Sequence, residues 1–205
     1  MKIINLWGAP GSGKSTTAAG LYYLMKINKF KVELVHEFVK DLIWEEHLSP
    51  LSDQNYIFTN QNRMLRRLEG KVDYVITDSP IPLSSYYAQP QYLENRPSFS
   101  SLVWEEFNTY KNINFLIIKD HEYQEYGRIH NEQEANNIAN SLKNILLQHN
   151  VAHHEVKTHP DITQQLLSIL FYIHQNTYQQ SNQEFCSTIE TMFRDIKDGN
   201  LSIQS

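Results

Sequence analysis

Cysteine is nearly missing from this 205-residue chain, in which Cys186 is the single example. One thiol cannot form a disulfide within the chain, so a reducing cytoplasm is the expected compartment. Apolar runs long enough to span a bilayer are also missing, and an apolar strand pattern starts at residue 2. We therefore expect no membrane segment, no signal peptide and a cytoplasmic location.

A surplus of positive charge is missing as well. The chain has 18 Lys and Arg residues against 23 Asp and Glu residues, which gives a formal net charge of −5. Proteins that capture duplex DNA by broad electrostatic attraction usually present a basic face. The charge balance therefore disfavours such binding, although it leaves room for a local basic groove.

Glycine is sparse, with seven residues, yet three of them fall within Gly8–Ser15, whose sequence is GAPGSGKS. This segment matches the phosphate-binding pattern G-x-x-x-x-G-K-[ST]. It follows an apolar run and precedes a helical pattern, which is the context in which the motif binds a nucleoside triphosphate. The residues expected to contact the nucleotide are Gly8, Ala9, Pro10, Gly11, Ser12, Gly13, Lys14, Ser15 and Thr16.

The residue types of this loop indicate its chemistry. Glycines permit backbone conformations in which successive N–H groups point at an anion, above the positive end of the following helix. Lys14 is expected to reach the β- and γ-phosphates, and the Ser15 hydroxyl is expected to bind Mg²⁺. ATP and Mg²⁺ are thus the expected cofactors.

Strand and helix patterns alternate along most of the chain. The apolar strand patterns lie at 2–7, 32–36, 72–77, 114–119 and 152–156. This alternation predicts an α/β fold with a five-stranded parallel sheet flanked by helices, of the P-loop nucleoside and nucleotide kinase type. Ser52 or Asp53 is expected to cap the helix that ends before Gly70, and the proline-containing stretch 81–100 is expected to be a long surface excursion.

The C-terminal part of the chain departs from the alternation. Residues 1–174 are expected to form the P-loop domain, and 175–205 a polar extension with one amphipathic helix pattern. Four histidines between positions 149 and 159 match no metal-binding spacing, so we expect them to be structural.

Two acidic residues are expected at the carboxyl edge of the sheet. Asp78 follows the third strand pattern, where a carboxylate holds Mg²⁺ directly or through water; the alternative is a cap for the next turn. Glu37 follows the second strand pattern, where a carboxylate takes the proton of an acceptor hydroxyl; the alternative is stabilisation of the next helix start. For Glu37 the two roles do not exclude each other.

Arginines supply candidate phosphate contacts outside the loop. Arg63, Arg66 and Arg67 lie on one predicted helix, where they either clamp a phosphate or form a solvated face. Arg128 lies in a polar segment after the fourth strand pattern. A mobile arginine there can reach a transferring phosphoryl group, and a passive loop residue is the alternative.

Four blocks of the sequence resemble a family of small P-loop proteins encoded by tailed bacteriophages. The blocks are INLWGAPGSGKSTTAAGLYYL, HEFVKD, DQNYIFTNQNRMLRRLEGKVDYVITDSP and GRIHNEQEA. That family is similar to the nicotinamide riboside kinase domains of bacterial NAD-salvage proteins and, more distantly, to deoxynucleoside and nucleotide kinases. The resemblance covers roughly residues 1–170.

The resemblance implies a kinase that transfers the γ-phosphoryl group of ATP to a nucleoside, a nucleotide or a related hydroxyl acceptor. It assigns Glu37 to the acceptor hydroxyl and Arg128 to a lid, although related kinases commonly carry several lid arginines and this chain has one in 119–135. Lys14 and Asp78 complete the expected catalytic set. The further candidates for the acceptor pocket are Lys40, Tyr56 and Arg63.

Two other functions stay open on the sequence. Some of these relatives are implicated in phosphorylating hydroxymethylated bases in phage DNA, so a modified DNA base is an alternative acceptor. The second is an ATPase or nucleotide-dependent switch that acts on a partner protein through 175–205; a GTPase is disfavoured because an Asn-Lys-x-Asp loop is missing. We also consider a homodimer, and a phage-encoded protein would act in the host cytoplasm.

Overall fold

The computed structural model describes residues 1–47, 49–88, 97–120 and 132–177. Within these ranges the chain forms five strands and seven α-helices, together with a short 3₁₀-helix at Ser49–Ser52. The strands are β1 Lys2–Trp7, β2 Val32–Val35, β3 Tyr74–Thr77, β4 Lys111–Ile118 and β5 His154–Lys157. The helices are α1 Lys14–Ile27, α2 Phe38–Trp44, α3 Gln54–Arg66, α4 Leu83–Tyr87, α5 Pro97–Thr109, α6 Glu132–Gln148 and α7 Ile162–Thr177.

The five strands form one parallel sheet in the order β2-β3-β1-β4-β5. The predicted α/β fold with a five-stranded parallel sheet is therefore confirmed. β1 lies at the centre, with β3 on one side and β4 on the other, so the strand order reverses beside it. Open α/β sheets bind ligands in the crevice that such a reversal leaves at the carboxyl ends of the strands.

The central strand is buried on both of its faces. Ile3, Ile4, Leu6 and Trp7 are each at most 1% exposed. Because consecutive strand side chains point to opposite faces, other layers of the fold must cover both sides of β1. The loop that follows β1 therefore starts from a rigid position.

Side-chain amides connect β1 to β4 inside this core. Asn5 Nδ2 donates to Oδ1 of Asn112 at 2.9 Å and to Oδ1 of Asn114 at 3.1 Å, and Trp7 Nε1 donates to the same Asn114 oxygen at 3.1 Å. Asn114 Nδ2 in turn donates to the carbonyl oxygen of Ala152 at 3.1 Å. Asn5 and Asn114 lie directly opposite each other in the parallel pairing of β1 with β4. We call this network the amide ladder, and its hydrogen bonds can all form in only one register of the two strands.

The stretch after β3 is where the sequence-based prediction is wrong. A surface excursion is predicted over 81–100, whereas Ile81, Leu83 and Ser84 are buried and α4 begins directly after Pro82. Helix α5 likewise starts at Pro97 rather than after residue 100. Proline suggested a loop, but at a helix start it removes an N–H that has no partner within the helix, so it is tolerated there. Residues 89–96 lie outside the described ranges.

Contacts divide the chain into two compact units, Met1–Gln164 and Gln165–Ser205. The domain boundary that the sequence suggests after residue 174 stays a prediction; helix α7 runs from Ile162 to Thr177. Residues 178–205, and with them the predicted C-terminal helix, lie outside the described ranges. Of the helices in the described ranges, none combines the length and the apolar character needed to cross a lipid bilayer.

Helix α3 contributes to the site described below, and it begins at a side-chain cap. Asp53 Oδ1 accepts the backbone N–H of Tyr56 at 2.9 Å. Of the two residues predicted to cap this helix, Asp53 is therefore the one that does so. The cap satisfies an N–H of the first turn that has no partner within the helix.

Replacing Asp53 with alanine is expected to lower the free energy of unfolding by about 1 kcal/mol, because that N–H loses its acceptor. Urea unfolding of the variant and the wild type measures the difference. Glu69→Ala is the matched control, because Glu69 is an exposed acid beyond the other end of the helix, and its effect should stay below about 0.5 kcal/mol. An Asp53→Ala protein as stable as the wild type would contradict the capping role.

Candidate active site

The loop between β1 and α1 requires glycine at two positions in particular. Gly8 has a φ of 153°, and a Cβ atom there would lie 2.5 Å from Ser12 Oγ and 2.8 Å from the carbonyl oxygen of Ile117. Gly13 is the N-cap of α1 and adopts the left-handed region with a φ of 82°. Such a loop, leading into a helix N-terminus, has the geometry that binds phosphate groups.

Lys14 is the first residue of α1, and its side chain folds back over the loop. Its Nζ donates to the carbonyl oxygen of Ala9 at 2.9 Å. The loop is also fastened to the sheet, because Thr158 Oγ1 lies 3.1 Å from the carbonyl oxygen of Ser12 and 2.9 Å from that of Ile118. No acidic side chain occupies the first turn of α1. The positive partial charge at the N-terminus of this helix is therefore not neutralised by a side chain of the same helix.

Asp78 directly follows β3 and is 3% exposed. Ser15 Oγ donates to its Oδ2 at 2.5 Å. Lys40 Nζ donates to the same Oδ2 at 3.1 Å and also to Ser15 Oγ. The structure thus brings together the two predicted metal ligands, Ser15 and Asp78, and adds to them a lysine that the sequence placed in the acceptor pocket.

The residues at this point of the site fit a nucleotide and its metal ion. Within the described residues, Asp78 Oδ1 and Ser12 Oγ are buried without a hydrogen-bond partner, and buried polar atoms are nearly always satisfied. A hydroxyl and a carboxylate are hard oxygen donors of the kind that Mg²⁺ prefers, with water and phosphate oxygens as its other ligands. Ser15 and Asp78 therefore suit Mg²⁺, and the loop suits a triphosphate.

Glu37 lies at the N-cap of α2, shortly after β2, and its side chain makes no capping hydrogen bond. Burial raises the pKa of its carboxyl; the nearby lysines Lys14 and Lys40 oppose this rise and the Asp78 carboxylate reinforces it. A carboxyl with a raised pKa is a stronger base than an exposed one when it is ionised, which suits proton transfer near neutral pH.

Gln61 positions the segment around Glu37, and reasoning from the sequence did not single it out. Its Oε1 accepts the N–H of Phe38 at 2.9 Å, and its Nε2 donates to the carbonyl oxygen of His36 at 3.2 Å. Gln61 is 2% exposed. Its place on α3, four residues before the buried Leu65, was a signal for burial, but spacing alone does not reveal the partners of a buried amide.

The loop and Glu37 line a cavity of about 550 Å³, a size that suits a small molecule. The nucleotide-loop residues in its lining are Pro10, Gly11, Gly13, Lys14, Ser15 and Thr16. The other polar lining residues are Glu37, Lys40, Gln54, Gln61, Ser79, Ser84 and Tyr87. The apolar lining residues are Val39, Ile43, Leu51, Ile57, Pro80, Ile81 and Leu83.

Burial raises the pKa of the Tyr87 phenol, and Tyr86 and Glu37 add to the rise, so this group stays a neutral hydrogen-bond donor.

Not every predicted site residue lies at this cavity. Gly8, Ala9 and Ser12 are buried within the loop. Tyr56 and Arg63 are not in the cavity lining: Tyr56 is 41% exposed with its ring packed on Phe38 at 5.6 Å between centroids, and Arg63 is exposed. Both belong to α3, which reaches the cavity with a different face. Arg128 lies outside the described residues.

These features define a P-loop nucleotide-binding protein. A glycine-containing loop follows the buried central strand, a lysine begins the next helix, and an aspartate at the end of a neighbouring strand is hydrogen-bonded to the serine of the loop. The chain belongs to the AAA domain family, whose model matches residues 3–162. Among solved structures it is similar to a thymidylate kinase from Ehrlichia chaffeensis, with 19% sequence identity and a TM-score of 0.55, over 82% of this chain and 97% of that chain. At this identity the likeness establishes the fold, which is nucleotide-kinase-like. No curated protein sequence matches the chain significantly.

Replacing Gly8 with alanine is expected to abolish binding of an ATP analogue, because the new Cβ would overlap Ser12 Oγ and the carbonyl oxygen of Ile117. Gly70→Ala is the matched control: Gly70 also has a positive φ, of 72°, but a Cβ there meets nothing within 4 Å. The control should lose about 1 kcal/mol of stability and keep its affinity. Titration calorimetry measures both affinities, and equal affinity of Gly8→Ala and wild type would refute the loop's role.

Replacing Glu37 with glutamine is expected to stabilise the protein near neutral pH. Because burial raises the pKa in the folded state, the ionised carboxylate destabilises the fold once the pH rises through that pKa, and this cost disappears below the ordinary glutamate value of 4.5. Calorimetric melting over a pH series should show a gain that grows with pH. The exposed acid at the end of α2 supplies the control, Glu45→Gln. A gain independent of pH, or a loss at neutral pH, would contradict the raised pKa.

Proposed function

We propose that this protein is a Mg²⁺- and ATP-dependent kinase that transfers the γ-phosphoryl group to a hydroxyl of a small nucleoside-like acceptor. The observation that carries the proposal is the partly buried Glu37, whose carboxyl has a raised pKa and which lines the same cavity as Lys14 of the nucleotide loop. A simple ATPase needs only to position water, whereas a kinase also binds an acceptor beside the γ-phosphate and removes its proton. A carboxyl beside the loop in a cavity of small-molecule size meets both of these needs.

On the donor side, the phosphates of ATP would lie along the loop from Gly8 to Thr16. The backbone N–H groups and the helix end would bind the phosphate oxygens, and Lys14 would release the carbonyl oxygen of Ala9 to reach the β- and γ-phosphates. Ser15 and Asp78 would hold Mg²⁺, which supplies neutralisation of the phosphate charge.

On the acceptor side, the reaction forms one bond and breaks one. The acceptor oxygen bonds to the γ-phosphorus, the bond from that phosphorus to the β,γ-bridging oxygen breaks, and ADP leaves. The hydroxyl proton passes to Glu37, and Lys14 stabilises the charge that develops on the phosphoryl oxygens. We assign Arg128, in the segment after β4, to a lid that keeps water from the γ-phosphate.

The cavity lining favours an acceptor without a phosphate of its own. Among the described lining residues, the cations are Lys14 and Lys40, and both lie at the loop end, bonded to Ala9 and to the Ser15–Asp78 pair. The remaining lining consists of apolar, amide and hydroxyl side chains besides Glu37. Because phosphate recognition usually uses arginine or lysine, this composition supports a nucleoside rather than a nucleoside monophosphate.

The experiment offers γ-labelled ATP with separate pools of nucleosides, nucleoside monophosphates and DNA that contains hydroxymethylated bases. The proposal expects label on a nucleoside. Glu37→Gln should reduce transfer about a hundredfold or more while slow hydrolysis of ATP by water persists, and Lys14→Ala should reduce both reactions about a hundredfold or more. Lys71→Ala, at an exposed lysine away from the site, is the control for loss of a positive charge.

Each other outcome selects a different function. Label on DNA, with a strong dependence on salt, would replace the nucleoside with a modified DNA base. Hydrolysis without transfer to any pool would favour an ATPase or nucleotide-dependent switch with a protein partner. If Glu37→Gln reduces phosphoryl transfer and ATP hydrolysis equally, Glu37 has a structural role rather than a role in accepting the proton.

A further inference from the structure

Lys40 contacts the same two oxygens that would hold a divalent cation. Its Nζ donates to Asp78 Oδ2 at 3.1 Å and to the hydroxyl oxygen of Ser15. A hydrogen bond also joins those two oxygens, since the Ser15 hydroxyl donates to Asp78 Oδ2 at 2.5 Å. The Lys40 ammonium therefore lies where the charge of Mg²⁺ is expected.

The two partners differ in how far they can move. The Asp78 side chain is 3% exposed, while that of Lys40 is 39% exposed. Lys40 is the third residue of α2, and its long flexible stem reaches inward from the surface. A buried carboxylate needs a positive partner, so Asp78 stays in place and the lysine can withdraw once another cation replaces it.

We infer that Lys40 is an exchangeable counter-ion of Asp78, which holds the metal-binding oxygens in the absence of Mg²⁺ and is displaced from them when Mg²⁺ and nucleotide bind. Two consequences follow. Lys40 competes with Mg²⁺, so it weakens the apparent affinity for the metal. It also partly replaces Mg²⁺, since Lys40 lines the cavity beside the loop, so nucleotide binds more tightly to the metal-free protein than it would without this ammonium.

The test measures the affinity of a non-hydrolysable ATP analogue in buffer with Mg²⁺ and in buffer with EDTA. For Lys40→Met, the affinity in EDTA should fall about tenfold, as expected for the loss of a positive charge near the phosphates. The affinity in Mg²⁺ should be unchanged or higher, so the ratio between the two buffers rises. The control Lys71→Met removes an exposed lysine away from the site and should leave both affinities unchanged.

A second measurement needs no nucleotide. Mg²⁺ alone should raise the melting temperature of Lys40→Met at lower concentrations than it does for the wild type, and the variant should be the less stable of the two in EDTA. If Lys40→Met does not fold, Lys40→Gln takes its place, because glutamine removes the charge and keeps a hydrogen-bond donor.

The inference is wrong if the variant loses affinity equally in both buffers, because Lys40 would then be an ordinary nucleotide contact. It is also wrong if neither the ratio nor the Mg²⁺ dependence of melting changes. A wild type that binds no nucleotide in either buffer would overturn the inference together with the nucleotide site. The inference rests on that site and not on transfer, so a protein that binds the analogue but phosphorylates no acceptor fails the proposed function alone.

Discussion

Burial of the Asp78 carboxylate is the constraint around which the site is arranged. A carboxylate removed from water must be paired and hydrogen-bonded, and the partners of Asp78 Oδ2 come from two helices, Ser15 from α1 and Lys40 from α2. Three separate parts of the sequence therefore have to meet at one oxygen. These contacts join the nucleotide loop to the end of β3 and bring Lys40 of α2 to the same oxygen.

The charges of the site balance one another over a short distance. Asp78 is buried and Glu37 is partly buried, and the Asp78 carboxylate makes ionisation of Glu37 harder. Lys14 and Lys40 act in the opposite direction on Glu37. Since a bound nucleotide brings several negative charges, and a metal ion brings positive ones, the protonation of Glu37 is sensitive to what the loop holds. A neutral amide, Gln61, fixes the backbone on both sides of Glu37 without entering this balance.

The parts of the fold that local rules determine could be predicted from the sequence. Alternating apolar strands and helices indicated the parallel sheet, the loop pattern located the P-loop, and Asp53 was one of two expected caps. The contact between Ser15 and Asp78 followed from both lying at the carboxyl edge of the sheet. The resemblance to phage and nicotinamide riboside kinase proteins stays a prediction.

What could not be predicted depends on how helices turn and pack. Tyr56 and Arg63 were placed on the acceptor side, but α3 reaches the cavity through Gln54, Ile57 and Gln61. An amphipathic pattern shows which face of a helix is buried, yet it does not show which buried residues border a cavity and which pack in the core. The prolines likewise indicated a loop over 81–100, although Pro82 and Pro97 stand at helix starts. Whether a proline lies in a loop or begins a helix is decided by tertiary packing.

The amide ladder between β1 and β4 has a consequence for how the chain reaches its native state. Its residues are more than a hundred positions apart in sequence, so this pairing closes a very long loop and is expected to be slow to form. Apolar side chains would tolerate several alignments of two such strands, whereas a shift by one residue would turn Asn5 away from Asn114 and leave buried amides unsatisfied. The asparagines therefore specify one alignment of β1 with β4, and the nucleotide loop starts from a strand held in that register.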